Sequence, residues 1–267
     1  MKRIIAFAVL AFAAACGVST QQEVQMGMQY AQQVNAQLPI VGDPEINRYI
    51  NVLGDSIAHL SDERNLDWHF YVVDSKEVNA FAIPGGFIYV NRGLIERADK
   101  LDQLAGVLGH EIGHVTHRHS IKQMEKMQTA QIGVTLGCVL LKACGSEAAQ
   151  QGINVLGTAV FAKFSRNDES EADAAGVEYT TRAGISPQGM PEMFEKLLAE
   201  RRQRPEGVDA WFSTHPLEED RIATTQKLIA RIDPAILQTL STDSQNFHAF
   251  KDRVLALPPS PPPPRTR

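Results

Sequence analysis

The spacing of apolar residues changes along the chain, and each change predicts a different kind of element. Between residues 22 and 37, and again after Asp43-Pro44, apolar residues recur at intervals of three and four, which predicts two amphipathic helices. Asp43 is placed to cap the second helix, and Pro44 suits its first turn, where a missing N–H costs nothing. From Trp68 to Val90 the chain is rich in β-branched and aromatic residues, which predicts a small sheet that we expect to be antiparallel.

One extended run in this region, Asn79-Ala80-Phe81-Ala82-Ile83, is followed by Pro84-Gly85-Gly86. A proline and two glycines suit an edge strand or a bend better than a central strand. An exposed edge strand can pair with the backbone of an extended peptide. A plain hairpin turn is the simpler interpretation, and the run taken by itself favours it.

Helical spacing returns after residue 98 and continues towards the C-terminus. Asp99 is the candidate cap of the first of these helices, whose apolar face consists of Leu101, Leu104, Val107, Leu108, Ile112 and Val115. Similar patterns predict helices through Tyr179, from Pro187 onward, at residues 217–232 and at 243–257. Helices combined with one small sheet make the predicted fold a mainly helical α+β domain.

Two apolar stretches, residues 131–141 and 153–161, are each too short to span a bilayer. Helices packed in the core are one interpretation, and a mobile lid or a hairpin that dips into a membrane is the other. Cys138 and Cys144 lie here, and in one continuous helix six residues would separate them by roughly 9 Å along the axis. A disulfide between them would therefore require a break in the helix.

The chain begins as a secretory signal, with two basic residues before an apolar run at 4–15. Ala13-Ala14-Ala15-Cys16 is either a plain Ala-x-Ala cleavage site or a bacterial lipoprotein box, although Ala13 stands where leucine is usual. We favour lipidation of Cys16, because a cysteine at the cleavage point would otherwise be unexplained. By resemblance to lipoprotein sorting rules, Gly17 would send the product to the outer membrane.

Composition limits the partners and the number of domains. With 267 residues, of which 43% are hydrophobic and 21% charged, the chain suits one globular domain with tails. Its formal charge of −5 would become −7 without Lys2 and Arg3, which argues against nucleic acid as a partner. We divide the chain into a signal peptide at 1–15, a lipidated tether at 16–22, a single domain at 23–257 and a disordered proline-rich tail at 258–267.

The chemistry is concentrated in His110-Glu111-Ile112-Gly113-His114. Two histidines four residues apart on a helix project from one face and can bind a single metal ion, as the HExxH zinc pattern requires. Beside water whose pKa the ion lowers from 15.7 to roughly 7, Glu111 can act as general base and return the proton to the leaving amine. A surface helix with solvated side chains is the alternative, and the apolar face of the segment argues against it.

The third metal ligand must come from outside this helix, since ligands from one rigid helix make a poor tetrahedral site. We therefore interpret His117 and His119 as surface residues or residues that support the ligands. Glu169 and Asp173 lie four apart on a predicted helix, so Glu169 can complete the ligand set while Asp173 hydrogen-bonds the far nitrogen of a ligand histidine. We expect Glu171, between them, to be solvated.

HExxH followed by ExxxD, within Ser165-Arg166-Asn167-Asp168-Glu169-Ser170-Glu171-Ala172-Asp173, resembles the zinc metallopeptidase family of the CAAX prenyl proteases and mitochondrial OMA-type proteases. The closest likeness is to its soluble bacterial periplasmic branch, over roughly residues 25 to 230. The resemblance implies a zincin-like, gluzincin-type endopeptidase in which His110, His114 and Glu169 bind Zn²⁺ and Glu111 is the base. No run long enough to span a membrane is present, so prenylated substrates are not expected.

The resemblance also implies residues that meet the substrate. Asn79, Ala80, Phe81, Gly85 and Gly86 look like the substrate-side strand and turn of the family, and Arg221 joins them as a binding residue. Ser213-Thr214-His215-Pro216 is matched as well, and two catalytic roles fit His215. Its ring could donate a hydrogen bond to the developing oxyanion, or it could take the fourth position on zinc as a reversible latch, which we favour.

These inferences predict a zinc-dependent endopeptidase of the periplasm, anchored to the outer membrane through Cys16. Its expected substrates are misfolded, misassembled or mislocalised envelope proteins. The alternative is a chaperone-like assembly factor that keeps the zinc site and mainly binds partners, and Glu111 argues against it because a pure binding site needs no base. A structural zinc site is disfavoured, because such sites fill all four positions with protein ligands.

Overall fold

A computed structural model describes residues 17–130, 157–160, 162–204, 208–216 and 219–261 of the chain. The N-terminal half contains α1 (Thr20–Gln37), α2 (Pro44–Ala58), β1 (His69–Val73), β2 (Ala80–Ile83), β3 (Phe87–Asn91), α3 (Arg92–Arg97), α4 (Leu101–Thr116) and α5 (His119–Ala130). The C-terminal half contains α6 (Arg166–Arg182), α7 (Gly189–Gln203), α8 (Asp209–Thr214), α9 (Glu219–Ile229), α10 (Pro234–Leu237) and α11 (Gln245–Leu255). The prediction of a mainly helical α+β domain is confirmed.

Local capping explains where the first two helices begin. Ser19 accepts a hydrogen bond from the backbone N–H of Gln22, whose side chain accepts one from the backbone N–H of Ser19 in return. Asp43 caps α2 through the backbone N–H groups of Glu45 and Ile46, as its position before Pro44 predicted. Because α1 begins at Thr20, the last residues of the predicted tether are helical.

The sheet is mixed, so the prediction of an antiparallel sheet is wrong for one of its two strand pairs. Its order is β1-β3-β2, and β1 pairs with β3 in parallel while β2 pairs with β3 antiparallel. The three-residue turn at 84–86 is so short that it can join β2 and β3 only as an antiparallel hairpin. Residues 74–79, by contrast, carry the chain from β1 across the end of β3, so that β1 and β2 lie on opposite sides of β3. That crossing is fixed by hydrogen bonds from the backbone N–H of Asn91 to Asn79 and of Gly93 to Ser75.

Both faces of the sheet are buried. One face, with Phe70, Val72 and Ile88, packs into the main core beside α2 and α4. The other, with Phe81 and Tyr89, packs beneath α1 in a smaller core. β2 is an edge strand, one of the alternatives that Pro84-Gly85-Gly86 left open, although all four of its side chains are buried.

Helix α4 runs through the centre of the domain, with every residue from Leu101 to Val115 buried. Its neighbour α6 lies unusually close, because glycines face each other where the two helices cross. A Cβ atom on Gly109 would lie 3.2 Å from the Cα of Gly176, and one on Gly113 would lie 3.1 Å from the Cα of Ala172. This close crossing brings the carboxylates of α6 within reach of the histidines of α4.

The predicted cap of α4 is wrong. Lys100 is the N-cap residue and makes no capping hydrogen bond with its side chain, while Asp99 pairs with Lys196. The backbone N–H of Leu101 instead donates to Asp243 Oδ1, and that of Asp102 donates to the carbonyl of Thr242. The cap therefore comes from a residue distant in sequence, which local spacing cannot reveal.

Several predictions concern residues outside the described ranges. These are the signal peptide and Cys16, the stretch at 131–141 with Cys138, most of the stretch at 153–161, Cys144 and the end of the proline-rich tail. Where the tail is described, its start is held by Arg92, which donates to the carbonyl oxygens of Pro258 and Leu257. Across the described residues, no helix combines the length and apolar character that crossing a bilayer requires.

Candidate metal centre

Four side chains from three parts of the chain meet in the interior beside α4. His110 and His114 come from α4, Glu169 comes from the first turn of α6, and His215 is the C-cap residue that directly follows α8. All four are buried, and each offers one nitrogen or oxygen within 4.8 Å of the others. Among the described residues, this is the one group of histidine, cysteine or acidic side chains with such geometry.

The distances between these atoms match a four-coordinate zinc site. Ligand atoms about 2.0–2.1 Å from zinc in a tetrahedral arrangement stand about 3.3–3.4 Å from each other. Nε2 of His110 lies 3.0 Å from Nε2 of His114 and 3.3 Å from Nδ1 of His215. Oε1 of Glu169 lies 3.5 Å from Nε2 of His114 and 3.1 Å from Nδ1 of His215. The donor set therefore fits zinc, and Nδ1 of His215 stands in the fourth position.

The far side of His110 is held by Asp173. Nδ1 of His110 lies 3.0 Å from Oδ1 of Asp173, which is one turn along α6 from Glu169, although the N–H is not aligned as in an ideal hydrogen bond. Such a contact keeps a proton on Nδ1 and leaves the Nε2 lone pair free for a metal. Burial opposes ionisation of Asp173, but the charge of Arg221 and the hydrogen bond with His110 hold the pKa of Asp173 below its ordinary value.

Arg221 lies among the carboxylates rather than at an open surface. Its Nε and Nη2 donate to the two oxygens of Asp173 at 2.8 and 2.7 Å, and its Nη1 donates to Glu169. Burial would raise the pKa of Glu169, but His215 and Arg221 outweigh burial and hold that pKa below its ordinary value. Arg221 thus contacts a candidate metal ligand and the carboxylate that supports another, a position that sequence reasoning did not anticipate.

Glu111 is buried beside the cluster without joining it. Its Oε1 accepts no hydrogen bond from any described residue and lies 3.5 Å from Nε2 of His215. Burial raises the pKa of Glu111 above its ordinary value, although the neighbouring His215 and His110 work in the opposite direction. A carboxylate with a raised pKa is a stronger base, as proton abstraction from water requires.

His114 is fixed on several sides. The ring of Phe164 stacks on it with centroids 4.1 Å apart, and Nδ1 of His119 lies 2.9 Å from Nδ1 of His114. Burial and then the neighbouring His110 and His215 hold the pKa of His114 well below its ordinary value, so that its nitrogens are available to a metal. Sequence reasoning left His119 undecided between surface and support, and the structure buries it against His114.

The predicted substrate-side residues divide into two groups. Ala82 and Pro84, which lie between these two groups and were not themselves predicted to bind substrate, line a narrow crevice that His114 also lines. Ala80 and Phe81 are buried in the sheet, where Phe81 stacks on Tyr89, and Asn79 is half-buried. Gly85 and Gly86 form the tight turn with φ of 89° and 101°. The positive φ values of this turn explain why both positions are glycine, whether or not a substrate approaches the turn.

The amino-acid sequence of this chain is similar to those of known metallopeptidases. The sequence profile of Peptidase family M48 matches residues 43–229. The chain is 33% identical over 249 residues to the beta-barrel assembly-enhancing protease of Escherichia coli (strain K12), a match that covers 90% of this chain and 50% of that protein. It is 28% identical over 174 residues to mitochondrial metalloendopeptidase OMA1 of Bos taurus, covering 61% of this chain and 33% of that protein. The chain thus spans about half the length of the first of these curated relatives.

Proposed function

The chain belongs to peptidase family M48, and from this premise we propose that it is a zinc-dependent endopeptidase. The observation that carries the proposal is the buried group of four donors with tetrahedral spacing and a free carboxylate beside it. Zinc is the metal of the family. His110, His114 and Glu169 hold it in this proposal, and Glu111 is left to act on substrate and water.

Each residue has one task in the hydrolysis of a peptide bond. Zinc, when bound, polarises the scissile carbonyl and makes water acidic. Glu111 takes a proton from the attacking water and gives it to the departing amine nitrogen, which needs a group that is close, buried and not itself a ligand. Asp173 holds the tautomer of His110, and Arg221 donates hydrogen bonds to both Asp173 and Glu169, so Arg221 positions the ligands rather than binding substrate.

His215 acts as a reversible latch in this proposal. Its Nδ1 stands where a fourth ligand belongs, 3.3 Å from Nε2 of His110 and 3.1 Å from Oε1 of Glu169. Pro216 follows His215 in the chain and restricts its backbone. The ring of Trp211 stacks on the ring of His215 with centroids 4.5 Å apart. Withdrawal of the ring would give water and substrate access to the fourth position, whereas an oxyanion donor would have to lie beside that position rather than in it.

The substrate lies along β2 in an extended conformation. Among the described strands β2 is at the edge of the sheet, and Ala82 and Pro84 reach the crevice at His114. Backbone pairing at such an edge holds a chain without demanding a particular sequence. N-methylation of successive backbone amides in a peptide substrate should therefore raise KM at the positions that pair. Uniform kinetics across the series would remove β2 from the binding site.

The substrates we propose are misfolded or misassembled proteins of the bacterial envelope, by analogy with the relative named as a beta-barrel assembly-enhancing protease. A chaperone-like factor that only holds partners would not need Glu111 beside the metal centre. The location we propose is the periplasm, with lipidated Cys16 as the anchor to the outer membrane. Cys16→Ser should move the protein from the membrane fraction to the soluble fraction, because stable anchoring requires two or more acyl chains. A native N-terminus without lipid would contradict the anchor.

The proposed activity is tested with an unfolded protein and its folded form as parallel substrates. Cleavage at internal peptide bonds of the unfolded form should disappear when a chelator removes zinc, and should return on addition of stoichiometric zinc. Mass spectrometry of the products identifies the new termini. Cleavage that survives complete removal of zinc, or release of terminal residues alone, would contradict a zinc endopeptidase.

A further inference from the structure

We infer that His119 is a positioning residue for the metal centre: it holds His114 in the metal-binding tautomer and passes the hydrogen-bond chain on to Glu171. Nδ1 of His119 lies 2.9 Å from Nδ1 of His114, and Nε2 of His119 lies 3.2 Å from Oε2 of Glu171. The inference rests on the proposed role of His114 as a zinc ligand.

The proton positions along this chain follow from the chemistry of its ends. His114 binds metal through Nε2, so its proton must be on Nδ1, which then donates to Nδ1 of His119. His119 accepts at Nδ1 only if its own proton is on Nε2, and that N–H donates to the carboxylate of Glu171. Glu171 is an acceptor at neutral pH, so one arrangement of neutral tautomers satisfies every contact. A ligand histidine whose other nitrogen donates to a supporting group binds metal more strongly.

The backbone between the two histidines is shaped for this contact. Residues five apart on one continuous helix point about 140° away from each other, so His119 could not reach the ring of His114 if α4 continued. Helix α4 instead ends at Thr116, and Arg118 takes a left-handed φ of 58° before α5 begins at His119. The side chain of Arg118 donates to the buried carboxylate of Glu23 at 2.7 Å, which fixes the bend.

The two ligand histidines are therefore supported in parallel ways. His110 is held by Asp173 directly, and His114 is held by Glu171 through the ring of His119. Glu171 is itself oriented by Asn167, whose Nδ2 donates to Oε1 at 2.6 Å. The expectation that Glu171 is merely solvated does not describe these contacts, although its side chain is partly exposed.

The test is the affinity of the whole protein for zinc, measured by competition with a chelator at pH 7. His119→Leu fills the space but removes the acceptor, and it should weaken zinc binding by about 10- to 100-fold. His119→Asn keeps an oxygen where Nδ1 stood, because both atoms are bonded to Cγ, but it loses the contact of Nε2 with Glu171, so it should recover only part of the lost affinity. His69→Leu is the control, since His69 lies on β1, where it contacts Asp67 and stacks on Phe87.

Thermal midpoints of the zinc-free variants separate positioning from folding. Equal affinity of His119→Leu and wild type would overturn the inference, as would an Asn variant that loses as much affinity as the Leu variant. If His119→Leu does not fold, Glu171→Ala replaces it with the exposed Glu178→Ala as control, and a loss confined to the Glu171 variant is the supporting result. His114→Ala separates the ligand role of His114 from the supporting role of His119. Undiminished zinc affinity of this variant would contradict His114 as a ligand, whatever the role of His119.

Discussion

Replacement of Arg221 by methionine should make the stability of the domain depend strongly on zinc. Methionine keeps much of the length of the side chain but removes its charge and its donors. In the native site Arg221 forms a two-point contact with Asp173 and a further hydrogen bond with Glu169, all of it buried. Without Arg221 these carboxylates would keep only the histidines as neighbours in a region that excludes water.

The expected magnitude follows from the cost of leaving buried charges without a partner. Breaking a buried ion pair by removing one partner costs about 3–5 kcal/mol, and here one arginine serves two carboxylates, so the zinc-free protein should lose about 5 kcal/mol. That loss is a large part of the roughly 5–15 kcal/mol that stabilises a typical domain. Zinc supplies a cation next to Glu169, so the loss should be smaller when zinc is present in excess.

Urea denaturation of wild type and Arg221→Met, each with a chelator and with zinc, measures both effects. Arg182→Met is the control, because Arg182 pairs with Glu178 at 3.0 Å with more than half of both side chains exposed, and its loss should be below about 1 kcal/mol. Arg221→Lys restores the charge but not the two-point contact, and it should recover part of the stability. A zinc-free Arg221→Met protein that loses less than about 1 kcal/mol would show that the two carboxylates do not depend on Arg221 for stability.

Three further predictions concern the latch, a buried carboxylate and the turn. His215→Ala should keep one zinc per chain and cleave peptides faster than wild type. A fall in the cleavage rate of about a hundredfold with zinc retained would identify His215 as an oxyanion donor instead, and equal rates would exclude both roles. Burial raises the pKa of Asp102 to about 6, so its folded-state value lies above the unfolded one and the native state loses stability as pH rises from about 4 to 6. Asp102→Asn should therefore stabilise the protein by about 1–3 kcal/mol at pH 7.5 but not at pH 4 in urea denaturation, and an equal effect at both would contradict this. Gly86→Ala should lower stability by about 1–3 kcal/mol, because its φ is 101° and a Cβ would lie 2.8 Å from the carbonyl oxygen of Asp67; an unchanged thermal midpoint would contradict the strain.

Much of the architecture follows from local sequence rules, because the signals act over a few residues. Asp43-Pro44 marks the start of α2, and the β-branched and aromatic runs mark the three strands. His110 and His114 share a helix face by their spacing, and so do Glu169 and Asp173. What brings the two pairs together is the close crossing of α4 and α6, for which Gly109-x-x-x-Gly113 was an available signal that sequence reasoning did not use.

Most of the features that sequence reasoning missed are non-local. The parallel pairing of β1 depends on which side of β3 the chain crosses, and the cap of α4 comes from Asp243. His119 reaches His114 only because Arg118 adopts a left-handed conformation, which is uncommon for a residue other than glycine. The contacts of Arg221 with Asp173 and Glu169 were not foreseen, because an arginine in a motif carries no signature of what it contacts.

We propose that this chain binds zinc at His110, His114 and Glu169 and uses Glu111 as the base for peptide hydrolysis. The most direct test measures zinc content and cleavage of an unfolded protein on the same preparations of wild type and Glu111→Gln. We predict one zinc per chain in both proteins and hydrolysis by the wild type alone, because Glu111 lies beside the ligands without being one of them. Normal turnover by the zinc-loaded Glu111→Gln protein would contradict the account.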